Sequence, residues 1–215
     1  MTDRPTPQKV WDEMRRGNQR FVAGEPEHPR QDVERRHLLA AGQTPRAALF
    51  GCSDSRLAAE IIFDKGLGDL FVVRNAGQVI SDSVIGSLEY AVAVLDVPLI
   101  IVLGHDECGA VKAAIDSTGV DAPALPAQIW RQIAPIVPAV RRVQRADGTE
   151  NSSIDAEHVG REHLRGTVAD LLHASELISA AVADGHLAVV GANYKLSEGT
   201  TVPEIIVGAA TDAHA

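Results

Sequence analysis

Four short runs of apolar residues, unbroken by polar positions, set the rhythm of this chain: Ala47–Phe50, Leu70–Val73, Leu99–Leu103 and Leu187–Val190. Continuous apolar runs of four or five residues, bounded by Gly, Asn or charged residues, are the pattern of strands buried on both faces of a parallel sheet. A fifth, weaker run at Ile205–Val207 reads as an edge strand. Between these runs the spacing changes to that of helices. Val84, Ile85, Leu88, Ala91, Val92 and Leu95 share one helical face behind capping candidates at Ser81–Ser83. Leu164, Val168, Leu171, Leu172, Ile178 and Val182 predict one long amphipathic helix, and shorter ones are expected over His37–Ala41, Leu57–Phe63 and Cys108–Ile115. Residues 117–126 and 143–156 are polar or rich in Pro and Gly, and read as connections. The expected fold is α/β: a central, mostly parallel sheet of four strands plus an edge strand, flanked by helices. At the N-terminus, Val10, Trp11, Met14, Phe21 and Val22 fall at helical spacing. They predict a helical arm over residues 1–24 that packs on a partner subunit, with packing on its own domain as the alternative.

At 215 residues the chain is long enough for one domain with a full core, and we expect a single domain over 1–215. Aromatic residues are 4% of the chain, so Val, Ile, Leu and Ala must build that core. The formal net charge of −9 gives no basic stripe for nucleic acid or an anionic membrane. No apolar run approaches the roughly 20 residues of a membrane span. Residues 1–24 are polar and charged, unlike a secretory leader, so a cytoplasmic location is expected. In such a reducing compartment the only two cysteines, Cys52 and Cys108, point to metal binding or catalysis rather than a structural disulfide.

Cys52, Asp54 and Arg56 follow the first strand directly, and His105 and Cys108 follow the third. Ligands of open α/β sheets bind beyond the carboxyl ends of the strands. If these two ends are adjacent, they gather four metal-capable side chains: Cys52, Asp54, His105 and Cys108. Two thiolates and an imidazole select zinc. With Asp54 as fourth ligand the site is closed and resembles a structural one. With water there instead it is catalytic, because the metal makes hydroxide available near neutral pH. Arg56 can choose between these states by pairing with the Asp54 carboxylate in a bidentate fork. The other histidines (28, 37, 158, 163, 173, 186 and 214) stand in polar or helical contexts and read as solvated surface.

Gly51-Cys-Ser-Asp-Ser-Arg56, Phe71-Val-Val-Arg-Asn-Ala76, Glu89-Tyr-Ala-Val92 and Gly104-His-Asp-Glu-Cys-Gly109 together resemble the ordered signature of the β-carbonic anhydrases, with the actinobacterial and mycobacterial members the most similar. The resemblance runs from about Trp11 to Tyr194. It implies reversible hydration of carbon dioxide to bicarbonate, one zinc ion per subunit on Cys52, His105 and Cys108, and Asp54 either on the metal or orienting hydroxide with Arg56. It also implies a homodimer or homotetramer with active sites at the subunit boundary. Substrate-contacting positions are implied at Gln43, Phe71, Ala76 and Tyr90, with a backbone donor at Gly109. Some bacterial members bind a second, inhibitory bicarbonate through a Trp three residues before the first cysteine. Leu49 stands there in this chain, which implies the subtype lacking that site.

Three rivals remain at this level. One is hydrolysis of carbon disulfide or carbonyl sulfide on the same zinc scaffold, and another is a zinc-stabilised domain without turnover. A nucleotide-binding domain is disfavoured, since no Gly-rich phosphate loop follows any predicted strand.

Overall fold

The computed structural model of the chain describes residues 4–119, 121–122, 124–148 and 154–212. Its centre is a five-stranded sheet in the order β2-β1-β3-β4-β5. The strands are β1 (Ala47–Cys52), β2 (Leu70–Asn75), β3 (Leu99–His105), β4 (Ala188–Tyr194) and β5 (Thr201–Gly208). Strands β1 to β4 pair in parallel, and β5 closes one edge antiparallel to β4. Strands β1, β3 and β4 are buried throughout, as their unbroken apolar runs require. At the other edge β2 is only partly buried along its length.

The sheet separates two apolar layers. Leu49, Ile101, Leu103 and Val190 face the first layer, which holds both cysteines. Helices α1 (Pro7–Ala23), α3 (Ala59–Ile62), α5 (Gly109–Asp116) and α7 (Val137–Asp147) cover that side. Phe50, Ile100, Val102 and Val189 face the second layer, under α4 (Asp82–Ala93), α8 (Ala156–Ala174) and α9 (Glu176–Ala183). Helices α2 (Val33–Leu39) and α6 (Ala127–Ile133) complete the set among the described residues. No helix of those residues is long and apolar enough to cross a membrane.

The arm buries its apolar stripe on its own domain. Val10, Trp11 and Met14 have no solvent exposure. Asn18 Nδ2 donates to the carbonyls of Ile62 and Gly199, and its Oδ1 accepts from the Thr201 N–H. A Cβ on Gly17 would stand 1.9 Å from the Phe63 carbonyl oxygen, so only glycine allows this approach of α1 to α3. Farther along the same predicted stripe Phe21 is only partly buried and Val22 is 44% exposed.

Several local features differ from the sequence pattern. Helix α7 runs to Asp147, into the stretch 143–156 read as a connection. The long helix predicted over 164–182 is two helices, α8 and α9, joined at Ser175. Ser175 has an extended backbone (φ −127°, ψ 106°), its Oγ accepts from the Ile178 N–H, and its hydroxyl donates to Glu89 Oε1 at 2.6 Å. That hydroxyl serves two partners that helical periodicity cannot register. The short helix expected over His37–Ala41 starts earlier, at Val33, because the Asp32 carboxylate caps the Arg35 N–H. Ser81 precedes α4 as expected, but its hydroxyl meets Ser83 Oγ instead of capping the helix.

Candidate metal centre

The register of the sheet decides which side chains meet. Strand β1 lies between β2 and β3, with Cys52 opposite Asn75 and Gly51 opposite Leu103. The carboxyl ends of β1 and β3 are thus neighbours, as the sequence pattern required. Cys108 caps α5 just after β3, and the turn between brings its sulfur back toward the strand ends. The Cys52 and Cys108 sulfurs and a His105 ring nitrogen all lie within 4.8 Å of one another, and all three residues are buried.

The donor set fits a metal ion on two counts. First, the His105 Nδ1 is 2.7 Å from the Asp106 carbonyl oxygen, so Nδ1 carries the proton and donates it. That tautomer leaves a lone pair on Nε2, which is buried and has no hydrogen-bond partner. An orphaned acceptor in an apolar layer costs roughly 1–3 kcal/mol, and a cation removes that cost. Second, the two thiols cannot both ionise unaided. Cys52 is held down to about 4 by the adjoining Cys108 thiol, by the neighbouring His105 ring and by the Gly77 and Asp54 N–H groups, against its burial. Cys108 is pushed upward by the adjoining Cys52 sulfur and by burial, with the Val111 and Ala110 N–H groups of α5 acting against that rise. A divalent cation held by Cys52 and Cys108 would let both be thiolates.

Asp54 is outside this trio and is held by Arg56. Nε of Arg56 donates to Oδ1 at 2.9 Å, Nη2 to Oδ2 at 2.7 Å, and the Arg56 backbone N–H to Oδ1 at 3.0 Å. This fork keeps the Asp54 carboxyl well below the usual carboxylate range, although partial burial opposes it. Nη2 of Arg56 also reaches the Glu107 carbonyl at 3.3 Å, which ties the loops after β1 and β3 together.

The remaining predicted positions separate into two groups. Ala76 and Gly109 adjoin the centre: Ala76 precedes Gly77, whose N–H donates to the Cys52 sulfur at 3.3 Å, and Gly109 follows Cys108 as the first residue of α5. Gln43, Phe71 and Tyr90 lie elsewhere. Phe71 pairs with Ala48, four residues back from the Asn75–Cys52 pair, or about 13 Å at roughly 3.3 Å per residue. Tyr90 packs beside it with ring centroids 6.1 Å apart and is 46% exposed. Gln43 is exposed and enters the amino end of β1, while Cys52 ends it. A cavity of about 660 Å³ near that amino end is lined by Thr44, Pro98 and charged residues paired among themselves, such as Arg46 with Glu13 and Arg30 with Asp69.

Sequence reasoning assigned no role to three residues that build the centre. Arg74 donates to the carbonyls of Cys52 and Asp54 at 2.9 and 2.6 Å, fixing the backbone between them. Its place among the quoted motifs was a usable signal. Gln132 donates to the Ala76 carbonyl at 2.8 Å. His163, expected at the surface, is buried, with its Nε2 2.7 Å from the Gly77 carbonyl oxygen. It lies on the face of α8 turned to the sheet, and nothing in the pattern distinguishes it from a solvated histidine. His214 lies outside the described residues.

Comparison with known proteins agrees with this geometry. A family model described as carbonic anhydrase matches residues 47–201. Carbonic anhydrase 2 of Mycobacterium tuberculosis is 49% identical over 196 residues, covering 91% of this chain and 92% of that protein. A carbonic anhydrase of Mycolicibacterium smegmatis is 47% identical over 194 residues, covering 90% and 91%. Among solved structures, a tetrameric β-carbonic anhydrase from Sordaria macrospora superposes with a TM-score of 0.66 at 26% identity, covering 78% of this chain and 84% of that one.

Proposed function

The chain belongs to the β-carbonic anhydrases and interconverts carbon dioxide and bicarbonate; from that premise we propose that Cys52, His105 and Cys108 hold one zinc ion, with Asp54 and Arg56 completing the machinery. The observation that carries this reading is the buried trio of ligand atoms within 4.8 Å, with His105 Nε2 left orphaned. Zinc bound there supplies the Lewis acidity that turns water into a nucleophile near neutral pH.

The protein's own part is orientation and exclusion. With both oxygens fixed by Arg56, the Asp54 carboxylate accepts a hydrogen bond from the attacking water and turns its lone pair toward the substrate carbon. Arg56 also keeps that carboxylate from closing the metal's fourth position, which is why a permanently closed, non-catalytic zinc domain is disfavoured. Ala76 and the Gly109 N–H flank the place where substrate sits. Carbon dioxide is apolar and cannot compensate desolvated polar groups, so its pocket needs apolar walls.

Those walls come from a second subunit. Strand β2 is a sheet edge whose outer side is unpaired among the described residues, and Tyr90 and Val94 beside it are 46% and 61% exposed. A two-fold axis at this edge, perpendicular to β2, runs the two β2 strands antiparallel and brings the amino end of one toward the carboxyl end of the other. The partner subunit's Gln43, Phe71 and Tyr90 then approach Cys52, which makes the homodimer the smallest active unit and pairing into a tetramer compatible with it. The free thiols suit a reducing, cytoplasmic setting.

Zinc analysis paired with hydration assays on wild type and Arg56→Ala tests the proposal. Wild type should carry one zinc per subunit and hydrate carbon dioxide in preference to carbonyl sulfide. The variant should keep its zinc, gain Asp54 as fourth ligand by zinc-edge spectroscopy, and lose about 10–100-fold in turnover. Wild-type turnover in Arg56→Ala refutes the gating role.

A further inference from the structure

Two successive carbonyls in the turn after β2 each accept a hydrogen bond from a side chain of a distant helix. The Ala76 oxygen accepts from Gln132 Nε2 of α6 at 2.8 Å, and the Gly77 oxygen from His163 Nε2 of α8 at 2.7 Å. The peptide joining Ala76 to Gly77 is the one whose N–H meets the Cys52 sulfur. The turn is strained: Gly77 and Gln78 are both left-handed, with φ of +81° and +42°, and the second carries a side chain. Such conformations persist only where the surroundings over-determine them. A Cβ on Gly77 would stand 2.9 Å from both Ala110 Cβ and Ile136 Cδ1, so the packing around the turn leaves room there only for glycine. Asn75 closes it from within, donating to the Val79 carbonyl and accepting from the Val79 N–H.

We propose that Gln132 and His163 are positioning residues of the metal centre, which fix the carbonyls on either side of Gly77 so that its N–H stays on the Cys52 sulfur. The inference rests on the reading that Cys52, His105 and Cys108 bind a metal. Gln132 acts on the same peptide that donates to sulfur, and a hydrogen bond to its oxygen polarises the N–H and strengthens it as a donor. An N–H on a thiolate draws charge from sulfur, orients its lone pairs and so tunes the metal it binds.

The test compares Gln132→Leu, His163→Leu and His163→Gln, the last keeping an amide N–H at about the reach of the imidazole Nε2. Zinc affinity is read by chelator competition, and sulfur-to-cobalt charge transfer by absorption of the cobalt-loaded proteins. Gln132→Leu and His163→Leu should bind zinc about 10-fold more weakly. Their cobalt band should move to lower energy as the sulfur becomes richer in electrons, with His163→Gln restoring both readings toward wild type. Gln132 is half-buried, so its variant keeps the question open should His163→Leu fail to fold. A lowered melting temperature with an unmoved cobalt band and unchanged affinity overturns the proposal. Wild-type protein that takes up no zinc refutes the metal-centre reading beneath it.

Discussion

The two ends of β1, a strand of six residues, differ in how far one chain completes them. At the carboxyl end, Cys52 is surrounded by groups of its own subunit: His105, Cys108, the Gly77 N–H and the Arg74 guanidinium. At the amino end Gln43 is exposed, and Phe71 and Tyr90 form a half-open aromatic pair at the sheet edge. A metal site demands charge neutrality, satisfied lone pairs and sub-ångström placement, which a single rigid core supplies. A pocket for an apolar gas demands only walls, and walls can be shared. The proposed dimer divides the work along that line.

The sharpest way to break the comparison is to remove a ligand at the complete end. Cys108→Ser takes one sulfur from the trio and leaves the Cys52 thiol to ionise alone. Metal content and hydration should fall together, by more than the 10–100-fold that changes to the groups around ligands produce. Near wild-type zinc content in this variant, measured by metal analysis, contradicts the assigned ligand set.

A smaller effect sharpens the comparison at the other end. Gln43→Ala and Cys52→Ser should each be nearly inactive as homodimers. If Gln43 serves the partner subunit's zinc, a mixed dimer regains one whole site, because one chain supplies Gln43 and the other Cys52. Co-expression at equal levels should then restore about a quarter of wild-type activity, from statistical pairing of a two-fold dimer. If Gln43 acts within its own chain, no mixed dimer has a whole site and co-expression restores nothing.

The sequence makes these two ends unequally legible. The trio can be read because apolar runs mark strand ends, the chain has two cysteines, and parallel pairing of β1 with β3 is the simplest way to use both. Asp54 and Arg56 are two residues apart, so their fork is a local property that spacing carries. Which subunit supplies Gln43 is not a property of one chain at all. Ser175 escapes for a related reason: the hydroxyl that breaks the predicted long helix answers Glu89, 86 positions earlier. The same distance in sequence separates His163 from Gly77, so a histidine that reaches the turn beside Cys52 looks like any other on a helix.

His163 gives the smallest of these effects and shows that the complete end is sensitive to protons through its packing. Burial lowers its pKa below the ordinary 6.5; the Gly77 carbonyl, Asp170 and Cys52 act the other way, and Arg142 acts with burial. The folded protein therefore keeps this ring neutral at a pH where the unfolded chain has already protonated it. Between the lowered value and about 6.5 the unfolded state binds more protons, so stability rises with pH in that window and is lost as pH falls through it. Above the window His163 contributes no slope. His163→Gln has nothing to titrate, so urea midpoints of metal-free wild type and variant at pH 8 and pH 5.5 should diverge, wild type losing more on acidification. Cys52 and Asp54 are present in both proteins, so the slopes they contribute are common to the two curves and the comparison reads the difference. Equal losses in the two proteins mean that the ring is charged in the folded state, and that the carbonyl of Gly77 is held by an imidazolium instead of a neutral donor.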